Sequence, residues 1–173
     1  MIAGPTPRAA AQRLRRAVQQ AVSCVTTGVL VDDRGAVTNE LRLVGRLAPR
    51  AGGHVVLLLS QRCGLVAESG RDRRDQWQAR TAGYLYAVEE ADGREILAYH
   101  WHPAGRSPQT RPHLHLGAGA GSLRSELSKA HLGTGFVTPA AVLRLSLESF
   151  YVRPRRADWA AILDGLDDAL SPP

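Results

Sequence analysis

The chain has little cysteine, almost no lysine and no long apolar run. Two thiols in 173 residues, Cys24 and Cys63, do not make a disulfide framework. In a reducing compartment both are expected as small buried hydrophobes without a chemical role. No apolar stretch approaches the roughly eighteen residues that cross a bilayer, so no membrane partner is expected. Met1 to Pro7 lacks the apolar core of a signal peptide, and Arg8, Arg13, Arg15 and Arg16 follow where one would continue; the expected location is cytoplasmic. Repeats and linker-like segments are also absent. One domain spanning 1–173 is therefore expected, large enough to bury a core without a covalent or metal staple.

Lys129 is the only lysine among 22 basic side chains, a bias that fits a GC-rich bacterial genome. The charge is uneven. Residues 1–74 hold 12 arginines against 5 acids, and the remainder is close to balanced within a net charge of +6. An electropositive N-terminal half attracts phosphate backbones, although solvated arginines alone account for the same composition.

The periodicities predict an α+β protein: an N-terminal helix, an antiparallel sheet of about six strands, and C-terminal helices covering the sheet. Thr6-Pro7 starts a helix whose Ala10, Leu14, Ala17, Val18, Ala21 and Val22 fall on one stripe. Val25 to Val31 and Val37 to Leu43 alternate around a turn at Asp32-Asp33-Arg34-Gly35, which predicts a hairpin. His54 to Leu59 is apolar on both faces, as in a central strand. Residues 67–75 form the most polar segment and are expected as a surface loop, with Arg71, Arg73 and Arg74 available to phosphates. Strands over about 76–89 and 94–102 flank Asp92-Gly93. A two-residue turn there pairs Ala91 with Arg94, Tyr84 with Trp101, Tyr86 with Tyr99 and Val88 with Leu97. Those aromatics then share a core face, and His100 and His102 look out from the other, over Gly83, Leu85 and Ala87. His113 to Leu116 makes a short returning strand. Helices are predicted from Ser122 to about Ala130, from Thr138-Pro139 through Phe150, and from near Asp158 to Leu170.

Four of the six histidines form two His-x-His pairs, His100/His102 and His113/His115, separated by ten residues. In extended chain each pair presents both imidazoles on one face. Imidazole titrates nearest neutrality, so several around one pocket are equipped as proton donors and acceptors. With Arg106 or Arg111 holding a phosphate, and Lys129 and His131 as further contacts, this is the equipment of metal-independent RNA cleavage: one imidazole takes the 2′-hydroxyl proton, another protonates the leaving 5′-oxygen. No cofactor is needed in that scheme. The same imidazoles on adjacent strands suit Zn²⁺ or another transition metal. No Asp or Glu lies between Tyr99 and Gly121 to complete a mixed ligand set. A third alternative is a non-enzymatic nucleic-acid or partner-binding domain whose histidines only shape a surface.

The order Gly83-Tyr84-Leu85-Tyr86, a turn with Asp92-Gly93, Ala98-Tyr99-His100, a loop, His113-Leu114-His115, and a helix around Val142-Leu143-Arg144-Leu145 resembles the TumE-like toxins of bacterial toxin–antitoxin pairs. It covers about residues 83–152. The resemblance implies an RNA-directed protein, a ribonuclease, with RNA as substrate and a protein antitoxin as partner, and it carries over Tyr99, His113 and His115. The chain departs from that pattern at His100, where the family has an acidic residue, and in a longer loop holding Pro108 and Pro112.

Overall fold

The structure, a computed structural model, describes residues 1–34, 38–70, 73–104, 108–121 and 130–170. The chain is an α+β protein. In order it runs β1 (Ala3–Gly4), α1 (Pro7–Val22), β2 (Val31–Arg34), β3 (Thr38–Leu47), β4 (Val55–Gly70), β5 (Arg73–Glu90), β6 (Glu95–Trp101), β7 (His113–Leu116), a 3-10 turn (Ala118–Ala120), β8 (Leu132–Gly133), α2 (Pro139–Glu148) and α3 (Trp159–Leu170). Among the described residues the sheet has eight antiparallel strands, in the order β2-β3-β4-β5-β6-β7-β8, with β1 pairing β5 off that path. The expected six become eight because β1 and β8 are two-residue strands without alternation long enough to read. No helix among the described residues is long and apolar enough to cross a membrane.

Two expectations shift. The first hairpin turns later: β2 begins at Val31, and Asp32 to Arg34 pair with Leu41 to Asn39 instead of forming the turn. Val25 to Leu30 precede the strand, and Gln19 holds them by bonding the Gly28 carbonyl and the Leu30 N–H. The polar stretch 67–75 is the tip of a long β4–β5 hairpin, paired as far as Gly70 with Arg73, because an extended ladder satisfies its backbone whatever the side chains. The helix predicted from Ser122 falls on residues 122–129, outside the described residues, as does Arg71.

Helix α1 forms where the cap and the stripe predicted it. The Thr6 hydroxyl accepts from the Ala9 N–H at 3.1 Å, Pro7 occupies the first turn, and Ala10, Leu14, Val18, Ala21 and Val22 are buried. This face packs with Val142 and Leu143 of α2 and Leu163 and Leu166 of α3 against Leu41, Leu43, Leu57, Leu59, Tyr84, Tyr86 and Val88 of the sheet. Full burial of each Leu or Val contributes about 1.5–3 kcal/mol. Cys24 and Cys63 are buried free thiols, and burial pushes Cys63 up to about 12. The Thr138 hydroxyl caps α2 through the Ala141 N–H and donates to Asp167 of α3. Thr138→Ala should cost about 1–2 kcal/mol, the range for a lost N-cap, measured as a lowered urea midpoint with unchanged slope.

The β5–β6 hairpin sets the two faces of the sheet. Tyr84 pairs with Trp101, Tyr86 with Tyr99 and Val88 with Leu97, the register expected, but the turn is one residue longer. Glu90 N–H donates to the Arg94 carbonyl and Gly93 N–H to the Glu90 carbonyl, with Gly93 at φ +85°. This is a three-residue loop closed by a left-handed glycine. A bulge follows at once, since Val88 pairs with Leu97 but Glu89 with Glu95. The two single-residue departures cancel. The aromatics thus face the core, with the Tyr84 and Tyr86 rings stacked 4.7 Å apart and Phe136 edge-on to Tyr84 and Trp101.

Candidate metal centre

Because side chains alternate along a strand, a core face carrying Leu97, Tyr99 and Trp101 sends His100 and His102 to the opposite face. On β7 His100 pairs with His113 and Ala98 with His115, so all four imidazoles project from one side. β8 extends the row: Leu114 pairs with Leu132, and continuing that register by one step brings His131 opposite His115. Small neighbours leave the rings room to lean together. Ala98 stands beside His115, Gly133 faces His113 across the ladder, and Gly83 lies two residues before Leu85, the partner of His100.

The result is a cluster of five imidazoles. Ring centroids lie 4.8 Å apart for His100–His115, 5.5 Å for His100–His113, 4.9 Å for His113–His115 and 5.3 Å for His102–His113. His131 lies 4.4 Å from His115 and 5.0 Å from His113. His100, His113 and His115 form the inner set, each offering a ring nitrogen within 4.8 Å of the others. His113 is wholly buried, and His131 is exposed.

The hydrogen bonding of His113 decides its tautomer. Its Nδ1 lies 2.7 Å from the Arg111 carbonyl oxygen, and a carbonyl only accepts, so Nδ1 carries the proton. Nε2 is left with its lone pair, buried and without a partner, and the Nε2 of His100 is likewise buried and unpartnered. A backbone carbonyl fixing one ring nitrogen while the other faces inward is the usual support of a metal-ligating histidine. The electrostatics agree. Burial, then the neighbouring imidazoles, pull His100 down to about 4. His115 is lowered by burial and then by His131, His113 and His102; His102 is lowered by burial, then by His113 and Arg62. No carboxylate figures among the groups acting on these three, so neutral imidazole is the favoured form at pH 7.

Nitrogens bound to one tetrahedral Zn²⁺ at about 2.0–2.1 Å stand about 3.4 Å apart. The ligand atoms of the inner set lie within 4.8 Å of one another, so the rings would have to draw together to meet that spacing. Three imidazoles would leave a fourth position for water.

The remaining expected residues divide clearly. Tyr99, carried in by resemblance, lies on the core face, half-buried against the hydrophobic core, and burial raises its hydroxyl. Arg111 contributes its carbonyl to His113, while its side chain is exposed. Arg106 and Lys129 lie outside the described residues. Arg62 of β4 was not anticipated. Its guanidinium occupies the space over Gly83, where a Cβ would meet it at 2.8 Å, and its charge reaches His102. Only the Arg62–Gly83 pairing brings it there, and no local pattern announces that register. No protein-family model, no curated protein and no solved structure matches the chain.

Proposed function

We propose that the protein is a histidine-ligated transition-metal protein, with His100, His113 and His115 as ligands and an open position for water. The observation that carries this is the buried, unpartnered Nε2 of His113, held in the ligating tautomer by the Arg111 carbonyl. A buried acceptor left without a partner costs about 1–3 kcal/mol, which a bound cation repays. An all-imidazole set without thiolate suits Zn²⁺, Cu²⁺, Ni²⁺ or Fe²⁺. When bound, such a metal lowers the pKa of a coordinated water towards neutrality and makes hydrolysis the natural reaction class. The test is direct: purified protein stripped with chelator is titrated with Zn²⁺ or Co²⁺, and one equivalent should bind to the wild type. Failure of the wild type to bind either ion overturns the proposal.

A second reading keeps the cluster metal-free and RNA-directed, as the TumE-like order of residues implies, with a protein antitoxin as partner. Arg62 beside His102 favours it, a cation placed to hold a phosphate next to an imidazole. On this reading RNA cleavage survives EDTA, has a bell-shaped pH dependence, and falls about 10²–10⁴-fold in His113→Ala or His115→Ala. Cleavage abolished by EDTA and restored by Zn²⁺ separates the two readings in favour of the first.

A further inference from the structure

On the sheet, β3 lies three strands from β6, and at its end a concavity of about 430 Å³ is lined by Val25, Thr26, Thr27, Arg46, Ala48 and the segment Arg153-Pro154-Arg155. Its size is that of small-ligand sites. Three of the lining residues are arginines and none is acidic. Among the described residues Arg46, Arg153 and Arg155 make no side-chain hydrogen bond and no ion pair, whereas the adjacent Arg156 is paired with Asp158 at 2.9 Å. The three guanidiniums therefore do nothing for the fold that the structure records, and gathering like charges in one concavity opposes folding.

The walls that present them are fixed. Arg153 N–H donates to the Ala48 carbonyl at 3.0 Å, Arg155 N–H donates to the Cys24 carbonyl at 2.8 Å, and Pro49 bridges Val152. Pro154 between them has its φ locked by its ring, and Arg153 and Arg155 both line the concavity. On the opposite wall Thr26 crosses so close to Gly45 that a Cβ there would meet it at 3.0 Å, and its hydroxyl accepts from the Gly28 N–H. The result is a preformed cationic cup.

We propose that this cup binds phosphate, as carried by a nucleotide or by the backbone of a single RNA strand. Planar guanidiniums without carboxylate partners match phosphate oxygens in bidentate geometry. The site is independent of the histidine cluster.

Binding is measured on the whole protein with three probes: a fluorescent 12-nucleotide single-stranded RNA, ATP, and inorganic phosphate. The wild type should bind the RNA or ATP. Arg46→Gln/Arg153→Gln/Arg155→Gln should bind at least tenfold more weakly, and for RNA its plot of log affinity against log salt should flatten by about two, at about 0.7 per lost phosphate contact. Loss of RNA binding with ATP unaffected at every salt assigns the cup to the strand, and loss of both assigns it to phosphate generally. The variant's circular dichroism checks its fold; should it fail to fold, Arg155→Gln alone should weaken binding at least threefold. Wild type that binds none of the probes, or a folded variant that binds all of them as the wild type does, overturns the proposal.

Discussion

Stripped protein given one equivalent of Co²⁺ should turn visibly coloured, with the intense d–d absorption of a four-coordinate site, and His113→Ala should lose at least two orders of magnitude in affinity. The reason is the position of His113 in the cluster. Its ring is the wholly buried one, its Nδ1 proton is committed to the Arg111 carbonyl, and its Nε2 has no other partner. Removing it takes away a ligand and the fixed point towards which His100 and His115 lean. His115→Ala, at a half-buried position, removes a ligand with less risk to the fold and should show a comparable loss. His102→Ala should cost less than tenfold, because His102 lies outside the inner set. Metal at a thousand times its dissociation constant stabilises the folded state by about 4 kcal/mol, a rise in melting temperature of about 10 °C for a domain of this size. His113→Ala should forfeit that rise. Equal Co²⁺ affinity in the wild type and in His113→Ala would show that the ligands lie elsewhere.

Gly117→Ala should be the most damaging of the glycine-to-alanine changes among the described residues. β7 ends at Leu116, and the Gly117 N–H then donates to the Ile96 carbonyl at 3.0 Å. A Cβ on Gly117 would overlap the Glu95 carbonyl oxygen and stand 2.7 Å from its carbon. Both are backbone atoms in a paired strand and have nowhere to rotate. Relief requires β7 to move off β6, and the His100–His113 pairing moves with it. A loss of about 3 kcal/mol is expected, at the upper end of overpacking costs. Metal affinity should fall at least tenfold although glycine offers no ligand atom. Gly64→Ala is the control, since a Cβ there meets nothing within 4 Å; it should stay within about 1 kcal/mol of the wild type. If the two variants share a urea midpoint, the close approach at Gly117 is not what holds β7 in place.

Much of this site is legible in the residue order because a strand alternates. Once Tyr84, Tyr86, Tyr99 and Trp101 are assigned to one face, His100 and His102 have no choice of side, and a His-x-His on the next strand joins them. Legibility fails where position depends on partners distant in sequence. His131 is a lone histidine until β8 pairs with β7, and Arg62 is one arginine among many until the β4–β5 register sets it over Gly83. The tautomer of His113 rests on one carbonyl two residues back, which no pattern of side chains reveals. The polar tip of the β4–β5 hairpin reads as a loop because its composition describes solvent exposure, while its structure is decided by backbone pairing.

The long turn at Gly93 and the bulge near Ile96 set terms for how this chain can change by insertion and deletion. Taking one residue out of the loop leaves Glu90 opposite Arg94 and every pair beyond it as before, and deleting Ile96 itself leaves Val88 opposite Leu97. What exchanges the two sides of β6 is straightening the ladder without losing a residue, which drives imidazoles into the hydrocarbon interior and Tyr99 and Trp101 into water. Single-codon losses at the loop or at the bulge are therefore tolerated by descendants of this sequence, provided that the residues from Leu97 onward keep their partners.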